Sequence, residues 1–185
     1  ALAYDTAAHA TAQVEIAGTA AGYFGLFYPP VFLLLCLPLA LLPHALSLTA
    51  WLASTGVLCL AALRRLLPGL PPLEFAAVLT FPAFLLNAGH GQNGFLSAAL
   101  FIGGFLALER RPLLAGMLLG CMIYKPQLAV LIQFALAFGG HWRALATTAV
   151  TAALLAALSC LLLGNDVWIA FLGPLGLAGD TLSQS

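Results

Sequence analysis

The chain has 185 residues, of which 63% are hydrophobic and only 6% are charged, and its formal net charge at pH 7 is zero. Because about a quarter of the residues of a soluble protein are charged, a soluble domain of this size could not cover its surface, and we predict an integral membrane protein. The absence of net positive charge disfavours a nucleic acid partner.

The four cysteines are widely spaced within apolar runs, with no CxxC and no cysteine–histidine cluster at metal-ligand spacing. They are Cys36, Cys59, Cys121 and Cys160. We interpret them as small packing residues. We therefore expect no disulfide, no bound metal and no cofactor.

The N-terminal segment is polar and rich in alanine, and is too polar to span a membrane. Its Asp5 can cap a short helix over residues 6–16, because the carboxylate accepts hydrogen bonds from the first free amides. Tyr28-Pro29-Pro30 then predicts an extended entry into the next helix, since proline suits a first helical turn. We interpret this N-terminal segment as a loop or an interfacial helix.

Apolar segments follow in series, and they differ in length. Two of them have about the 20 residues needed to cross the ~30 Å hydrocarbon core. The others are short, contain a proline, or are broken by one. We predict an all-α, polytopic transmembrane bundle with short and broken helices over residues 28–164, and an interfacial or outer-loop segment over residues 165–185. The segments are 31–42, 45–63, 75–86, 95–108, 113–138 and 144–163.

Arginines separate these segments, as Arg64-Arg65, Arg110-Arg111 and Arg143. The positive-inside rule predicts that all three groups are cytoplasmic. Segment 75–86 then crosses outward and segment 95–108 returns, which places the intervening residues 90–93 on the outer face. The parity around segment 31–42 stays open.

Segment 113–138 permits two topologies. In the first, it goes out and back as two half-length helices, with Lys125 at the outer turn. In the second, it is one long tilted crossing with Lys125 near mid-depth, which moves Arg143 outside. The sequence alone leaves both open.

Lys125 is the only lysine of the chain, and it interrupts this apolar run as Tyr124-Lys125-Pro126-Gln127. A charge at the bilayer centre costs roughly 2.5–3.5 kcal/mol, and the proline also breaks the backbone hydrogen-bond ladder. No carboxylate lies within an apolar run to form an internal ion pair. We predict an anion site at this break, with Tyr124 and Gln127 completing a polar pocket. Snorkelling of Lys125 to an interface is the alternative.

A second polar break is Gly89-His90-Gly91-Gln92-Asn93-Gly94. Its glycines permit positive φ, and the amides of Gln92 and Asn93 suit sugar hydroxyls or phosphate oxygens. A polar turn without function is the alternative, since Asn-Gly is a common turn pair. The predicted position on the same face as Lys125 favours a functional role.

The motifs occur in an order that resembles glycosyltransferase family 87, the polyprenyl-phosphate-mannose-dependent α-1,2-mannosyltransferase-like proteins of bacteria. The resemblance runs through nearly all of the chain. The matching elements are Tyr4-Asp5, Tyr28-Pro29-Pro30, Gly91-Gln92-Asn93-Gly94, the Leu-Glu-Arg-Arg-Pro run at 108–112, Tyr124-Lys125-Pro126-Gln127 and Trp142-Arg143.

This resemblance implies a GT-C fold, a helical bundle with its active site on the outer face of the bacterial plasma (inner) membrane. It implies transfer of a hexose, mannose in this family, from a polyprenyl-phosphate donor to a lipid or glycan acceptor. The expected partners are that donor, the acceptor and the lipid bilayer. The family is metal-independent, and a carboxylate of the first outer loop serves as its base. The resemblance also assigns residues 1–27 to part of this outer, periplasmic loop.

Residue by residue, the resemblance implies that Lys125 binds the donor phosphate. The substrate-binding candidates are His90, Gln92, Asn93, Tyr124, Gln127 and Tyr28. Asp5 is the candidate catalytic residue, although it matches a later Tyr-Asp of the first outer loop and not the usual acid. We expect the chain to be a fragment truncated at both ends, with that acid before Ala1, and to be inactive alone.

The alternative function is a fragment of a lipid-linked sugar flippase or a small-solute transporter. Broken helices with polar residues at the break also mark transporter sites. Such a transporter should contain an internal inverted repeat, and none is evident in the sequence. A membrane scaffold is disfavoured by the two polar breaks.

Overall fold

The computed structural model describes residues 4–17 and 25–173, and within these ranges the chain forms helices and no strands. The prediction of an all-α bundle with short and broken helices is confirmed. The α-helices are α1 Thr6–Ala17, α2 Pro30–Cys36, α3 His44–Leu66, α4 Pro72–Ala76, α5 Pro82–Gly89, α6 Gly94–Ala107, α7 Pro112–Gly120, α8 Pro126–Phe138, α9 Trp142–Leu163 and α10 at residues 165–173.

The chain divides into two compact units. One comprises residues up to 37 and from 153 onward, and the other comprises residues 38–152. The second unit, which we call the central bundle, contains both polar breaks that the sequence singled out.

In the unit formed by the two ends of the chain, Asp5 caps α1 as predicted. Its Oδ1 accepts hydrogen bonds from the amides of Ala7 and Ala8, each at 3.0 Å. The Tyr4 hydroxyl donates to the Tyr28 carbonyl at 2.7 Å, and the Tyr4 ring lies 5.5 Å from that of Phe171. The last part of segment 165–185, residues 174–185, lies outside the described residues.

Two helices, α3 and α9, are long and apolar enough to cross a membrane. The stretches Pro72–Thr80 and Pro82–Gly89 form a third candidate span, bent by 52° where they meet. Pro82 explains this bend, since it disfavours helical backbone in the preceding residue Phe81, whose ψ is 132°. The chain is therefore a membrane protein with at least two candidate spans.

In the central bundle, α3 and α6 run parallel. Leu48, near the start of α3, packs on Gly91 just before α6, and Gly56 further along faces the ring of Phe95. Arg65 and Arg110 then line one groove where the two helices finish. Both helices thus begin at one end of the bundle and finish at the other.

Segment 113–138 forms a helical hairpin. α7 continues into a 3-10 turn at Cys121–Tyr124, the direction reverses at Lys125, and α8 returns. His141, after α8, lies with its Nε2 3.8 Å from Oε1 of Glu109, before α7. A single helix from Glu109 to His141 would separate these two residues by roughly 48 Å at 1.5 Å per residue. The out-and-back alternative is therefore the one that the chain adopts.

The hairpin packs against α6 and the first half of α9 around a small apolar core. Gly104 of α6 contacts the side chain of Leu119, and Gly116 and Gly120 of α7 contact residues 144–151 of α9. Small residues four apart allow such close approach of helices in membranes. The buried core residues are Leu108, Ala115, Leu119, Met122, Ile132, Leu136 and Ala144.

This packing gives the central bundle two chemically different ends. The arginine end carries Arg64-Arg65, Arg110-Arg111 and Arg143, which the helix directions bring to the same end. The lysine end carries the 90–93 turn and the hairpin tip at Tyr124-Lys125. The arrangement of arginines at one end matches the pattern expected from the positive-inside rule.

Candidate functional site

The hairpin tip is built by the backbone on either side of Lys125. Pro126 occupies the first turn of α8, and it disfavours helical backbone in the residue before it. Lys125 accordingly has φ −119° and ψ 82°. Its carbonyl accepts hydrogen bonds from the amides of Leu128 and Ala129, each at 3.0 Å. The lysine is thus fixed at the point where the chain reverses.

The Lys125 side chain is half-buried. Among the described residues it forms neither an ion pair nor a side-chain hydrogen bond. An ammonium group can donate three hydrogen bonds. The lysine end therefore offers a cation that no carboxylate in the described part of the chain neutralises.

The second polar break forms a tight turn before α6. Gly91 has φ 62°, a conformation that glycine adopts without steric cost. Asn87 of α5 holds this turn: its Nδ2 donates to the Gln92 carbonyl at 3.3 Å, and its Oδ1 accepts from the Gly94 amide at 2.8 Å. The turn is therefore fixed by a side chain from the preceding helix.

A chain of hydrogen bonds joins this turn to the hairpin tip. The Ser97 hydroxyl donates to the Asn93 carbonyl at 3.0 Å. Ser97 Oγ lies 2.9 Å from the Tyr124 hydroxyl. Because a serine has a single hydroxyl hydrogen, Tyr124 is the donor in the second bond. The two breaks, separated by some thirty residues in sequence, thus meet at one end of the bundle.

Asn93 is the buried polar residue of this end, with 4% of its surface exposed. Its side-chain amide makes no hydrogen bond within the described residues. Its amide nitrogen and oxygen are not among the fully buried, unpartnered side-chain atoms of the described residues, so they stay open to solvent or a ligand. Ser97 links the Asn93 backbone to Tyr124, itself 1% exposed, and an open amide therefore lies at the same end of the bundle as Lys125.

The remaining predicted residues of this end are more exposed. Gln92 is exposed on the turn and Gln127 in the first turn of α8. His90 is also exposed, and its Nδ1 lies 2.9 Å from the Leu86 carbonyl of its own helix. The structure therefore places His90, Gln92, Asn93, Tyr124 and Gln127 at the lysine end, with Asn93 and Tyr124 as its buried members.

Asp5 and Tyr28 belong to the other unit. Both have structural contacts there, since Asp5 caps α1 and the Tyr28 carbonyl accepts the Tyr4 hydroxyl. Burial, followed by the influence of Cys36, raises the pKa of Tyr4 to about 12, so this hydroxyl stays protonated and remains a donor at neutral pH. The Tyr28 ring also packs 4.8 Å from that of Phe32.

Sequence reasoning missed Asn87 and Ser97, which hold the site together. Each is a small polar residue in an otherwise apolar helix, and that was the available signal. The described residues contain no group of three histidine, cysteine, aspartate or glutamate side chains placed to hold a metal ion.

Comparison with known proteins identifies the family of this chain. The family model of glycosyltransferase family 87 matches residues 26–185, which include both polar breaks. No curated protein and no solved structure matches the chain. Because the family model matches most of its length, the chain belongs to glycosyltransferase family 87, a family of membrane glycosyltransferases.

Proposed function

We propose that this protein moves a hexose, mannose in the first instance, from a polyprenyl-phosphate donor to a hydroxyl of a lipid or glycan acceptor. The observation that carries the proposal is the hydrogen-bonded chain from Tyr124 through Ser97 to Asn93. It holds an unpaired ammonium and an unpartnered amide at one end of a membrane bundle. A phosphorylated sugar presents an anion and hydroxyl groups to such a pair.

Lys125 is the proposed phosphate-binding residue. As the bond from the anomeric carbon to the phosphate oxygen breaks, negative charge develops on the leaving polyprenyl phosphate. A fixed cation in a site shielded from water stabilises that charge more than water does. A lysine ammonium acts as a point charge with three donors, which suits a phosphate that rotates as it leaves.

Asn93 and Gln92 are the proposed contacts to sugar or phosphate oxygens. The Asn93 amide, which makes no hydrogen bond within the described chain, would contact those oxygens directly. Tyr124 is proposed to position the hairpin tip against α6, since its hydroxyl donates to Ser97. His90 and Gln127, both exposed, are the proposed contacts to outer parts of the donor or the acceptor.

The remaining step is removal of the acceptor proton by a carboxylate acting as general base, in an inverting displacement. Asp5 is the candidate of this chain. One of its oxygens accepts the two amides of the α1 cap, which leaves its second oxygen for a proton. Tyr28 is the further proposed substrate contact in the same segment.

The proposed orientation follows from charge. Arginines concentrate in cytoplasmic loops, so the arginine end is proposed to face the cytoplasm. The lysine end then faces outward, which is consistent with a multi-pass protein of a bacterial plasma membrane. Lipid-linked donors lie in the bilayer, and their phosphates reach its outer surface.

The test is transfer from a radiolabelled polyprenyl-phosphate sugar in membranes that contain the full-length protein. We expect Lys125→Ala to lower transfer strongly, and Lys125→Arg, which keeps the charge, to retain part of it. Arg143→Ala is the matched control, because it removes a cation from the opposite end. Unchanged transfer by Lys125→Ala would remove Lys125 from phosphate binding.

The same assay separates transferase from transporter. Should the unmutated protein move the labelled lipid across the bilayer without forming a product with any hydroxyl acceptor, the transferase proposal would fail. Product formation that requires Lys125 supports it.

A further inference from the structure

An apolar groove runs along the central bundle and ends among arginines. Its volume is about 590 Å³, and it lies along α3, α6 and α7. Leucine, alanine and glycine residues form most of its lining, including Leu58, Leu100 and Leu118. The groove is thus a surface for hydrocarbon along most of its length.

Three arginines line the groove, Arg65, Arg110 and Arg111. All three residues are exposed, and within the described residues none of them pairs with a carboxylate. Arg64 differs, since it donates to the Leu70 carbonyl and its guanidinium lies 5.4 Å from the centre of the Phe75 ring. The groove therefore ends in three cations that the protein itself leaves without an anion.

A groove of this kind fits an amphiphile with an anionic headgroup. The stretch of α6 and its following loop from residue 96 to residue 110 rises about 21 Å at 1.5 Å per residue. One leaflet of the hydrocarbon core is about 15 Å deep, half of ~30 Å, so an acyl chain fits this length. A polyprenyl chain is much longer. The arginines also lie at the end opposite to Lys125.

We propose that this groove binds an anionic diacyl phospholipid, with an acyl chain along α3 and α6 and the phosphate at the three arginines. The cytoplasmic leaflet is rich in anionic lipids, and basic pockets between membrane helices bind their headgroups. The proposal does not depend on sugar transfer. It assigns a role to arginines that would otherwise serve only as topology signals.

The test is native mass spectrometry of the full-length protein, purified in detergent and offered phosphatidylglycerol or phosphatidylcholine with identical acyl chains. We expect retained phosphatidylglycerol and little phosphatidylcholine. Since each cation near an anionic lipid contributes a factor of about five, the Arg65→Gln/Arg110→Gln/Arg111→Gln variant should bind phosphatidylglycerol more weakly by a factor on the order of a hundred.

Arg143→Gln is the matched control, because Arg143 lies at the same end but does not line the groove. It should bind phosphatidylglycerol as the unmutated protein does. Ala99→Phe, which fills the groove and keeps every arginine, should weaken binding of the same lipid. Thermal unfolding of each variant establishes that it is folded before lipid is added.

Three results would overturn the proposal. They are equal retention of the two phospholipids, equal loss of phosphatidylglycerol in the Arg143→Gln control, and displacement of phosphatidylglycerol by polyprenyl phosphate at equimolar concentration. The third result would make the groove a site for a polyprenyl chain.

Discussion

The two ends of the central bundle both carry cations, but these cations differ in how deeply they are buried. At the lysine end, Lys125 is half-buried, and Tyr124 and Asn93, which hydrogen bonds through Ser97 join, are almost fully buried. At the arginine end, Arg65, Arg110 and Arg111 are all exposed.

This difference shows what a cation contributes at each position. An exposed arginine in a membrane protein sets orientation and attracts anionic lipids, and neither role needs contact with the proposed sugar donor. The backbone of the half-buried Lys125 is fixed by hydrogen bonds from the amides of Leu128 and Ala129. Sugar transfer should therefore be sensitive to single substitutions at the lysine end and should tolerate them at the arginine end.

The largest expected effect is on sugar transfer after Lys125→Ala. Removal of one group that stabilises charge in a transition state lowers the rate by about 10²–10³, and we expect a loss of this size in kcat. Measured in parallel, Arg110→Ala/Arg111→Ala should stay within about threefold of the unmutated rate. Comparable losses at the two ends would remove the functional contrast between them.

A smaller effect is expected from Asn93→Leu, which replaces the buried amide with an apolar group of similar size. Free-energy costs of about 1–3 kcal/mol accompany the loss of a hydrogen-bonding group, so donor binding should weaken by roughly tenfold to a hundredfold. Thermal unfolding should change little, because the amide has no partner among the described residues. A large loss of stability with normal donor binding would make Asn93 a structural residue.

Packing of the hairpin should be sensitive at Gly120. A Cβ there would lie 2.6 Å from the Cβ of Thr151 and 2.8 Å from the Thr148 carbonyl oxygen, so Gly120→Ala forces α7 and α9 apart. Overpacking costs about 1–3 kcal/mol, and the midpoint of thermal unfolding in detergent should fall. Gly89→Ala is the control, since a Cβ at Gly89 meets no atom within 4 Å, and its midpoint should not fall.

The smallest expected effect at the lysine end follows Tyr124→Phe, which removes the hydrogen bond to Ser97 and keeps the buried ring. The net contribution of such a bond is about 0.5–1.5 kcal/mol. We expect a modest fall in thermal stability, and a larger proportional fall in kcat because the hairpin tip loosens relative to the 90–93 turn. Ser97→Ala, which also loses the bond to the Asn93 carbonyl, should lower both at least as much. A double variant no worse than Ser97→Ala would show that Tyr124 acts through its bond to Ser97.

The sequence predicted most of the helices, and the reasons are local. Apolar runs marked α3, α6 and α9, prolines marked the breaks at Pro82 and Pro126, and Asp5 marked the start of α1. The two polar breaks were visible as interruptions in hydrophobic sequence. Their supporting residues, Asn87 and Ser97, were not predicted, because a hydrogen bond between distant helices has no local signature.

By itself, the sequence determined that this chain is a helical membrane protein, since 6% charged residues cannot cover a soluble surface. Its motifs also resemble glycosyltransferase family 87, the family whose model matches residues 26–185. Only the tertiary structure decided that segment 113–138 folds back on itself. The run of apolar residues permitted both a single crossing and a hairpin, because hydrophobicity is the same in each. Close packing of Gly116 and Gly120 on α9, with His141 beside Glu109, selects the hairpin and so brings Lys125 to the same end as Asn93.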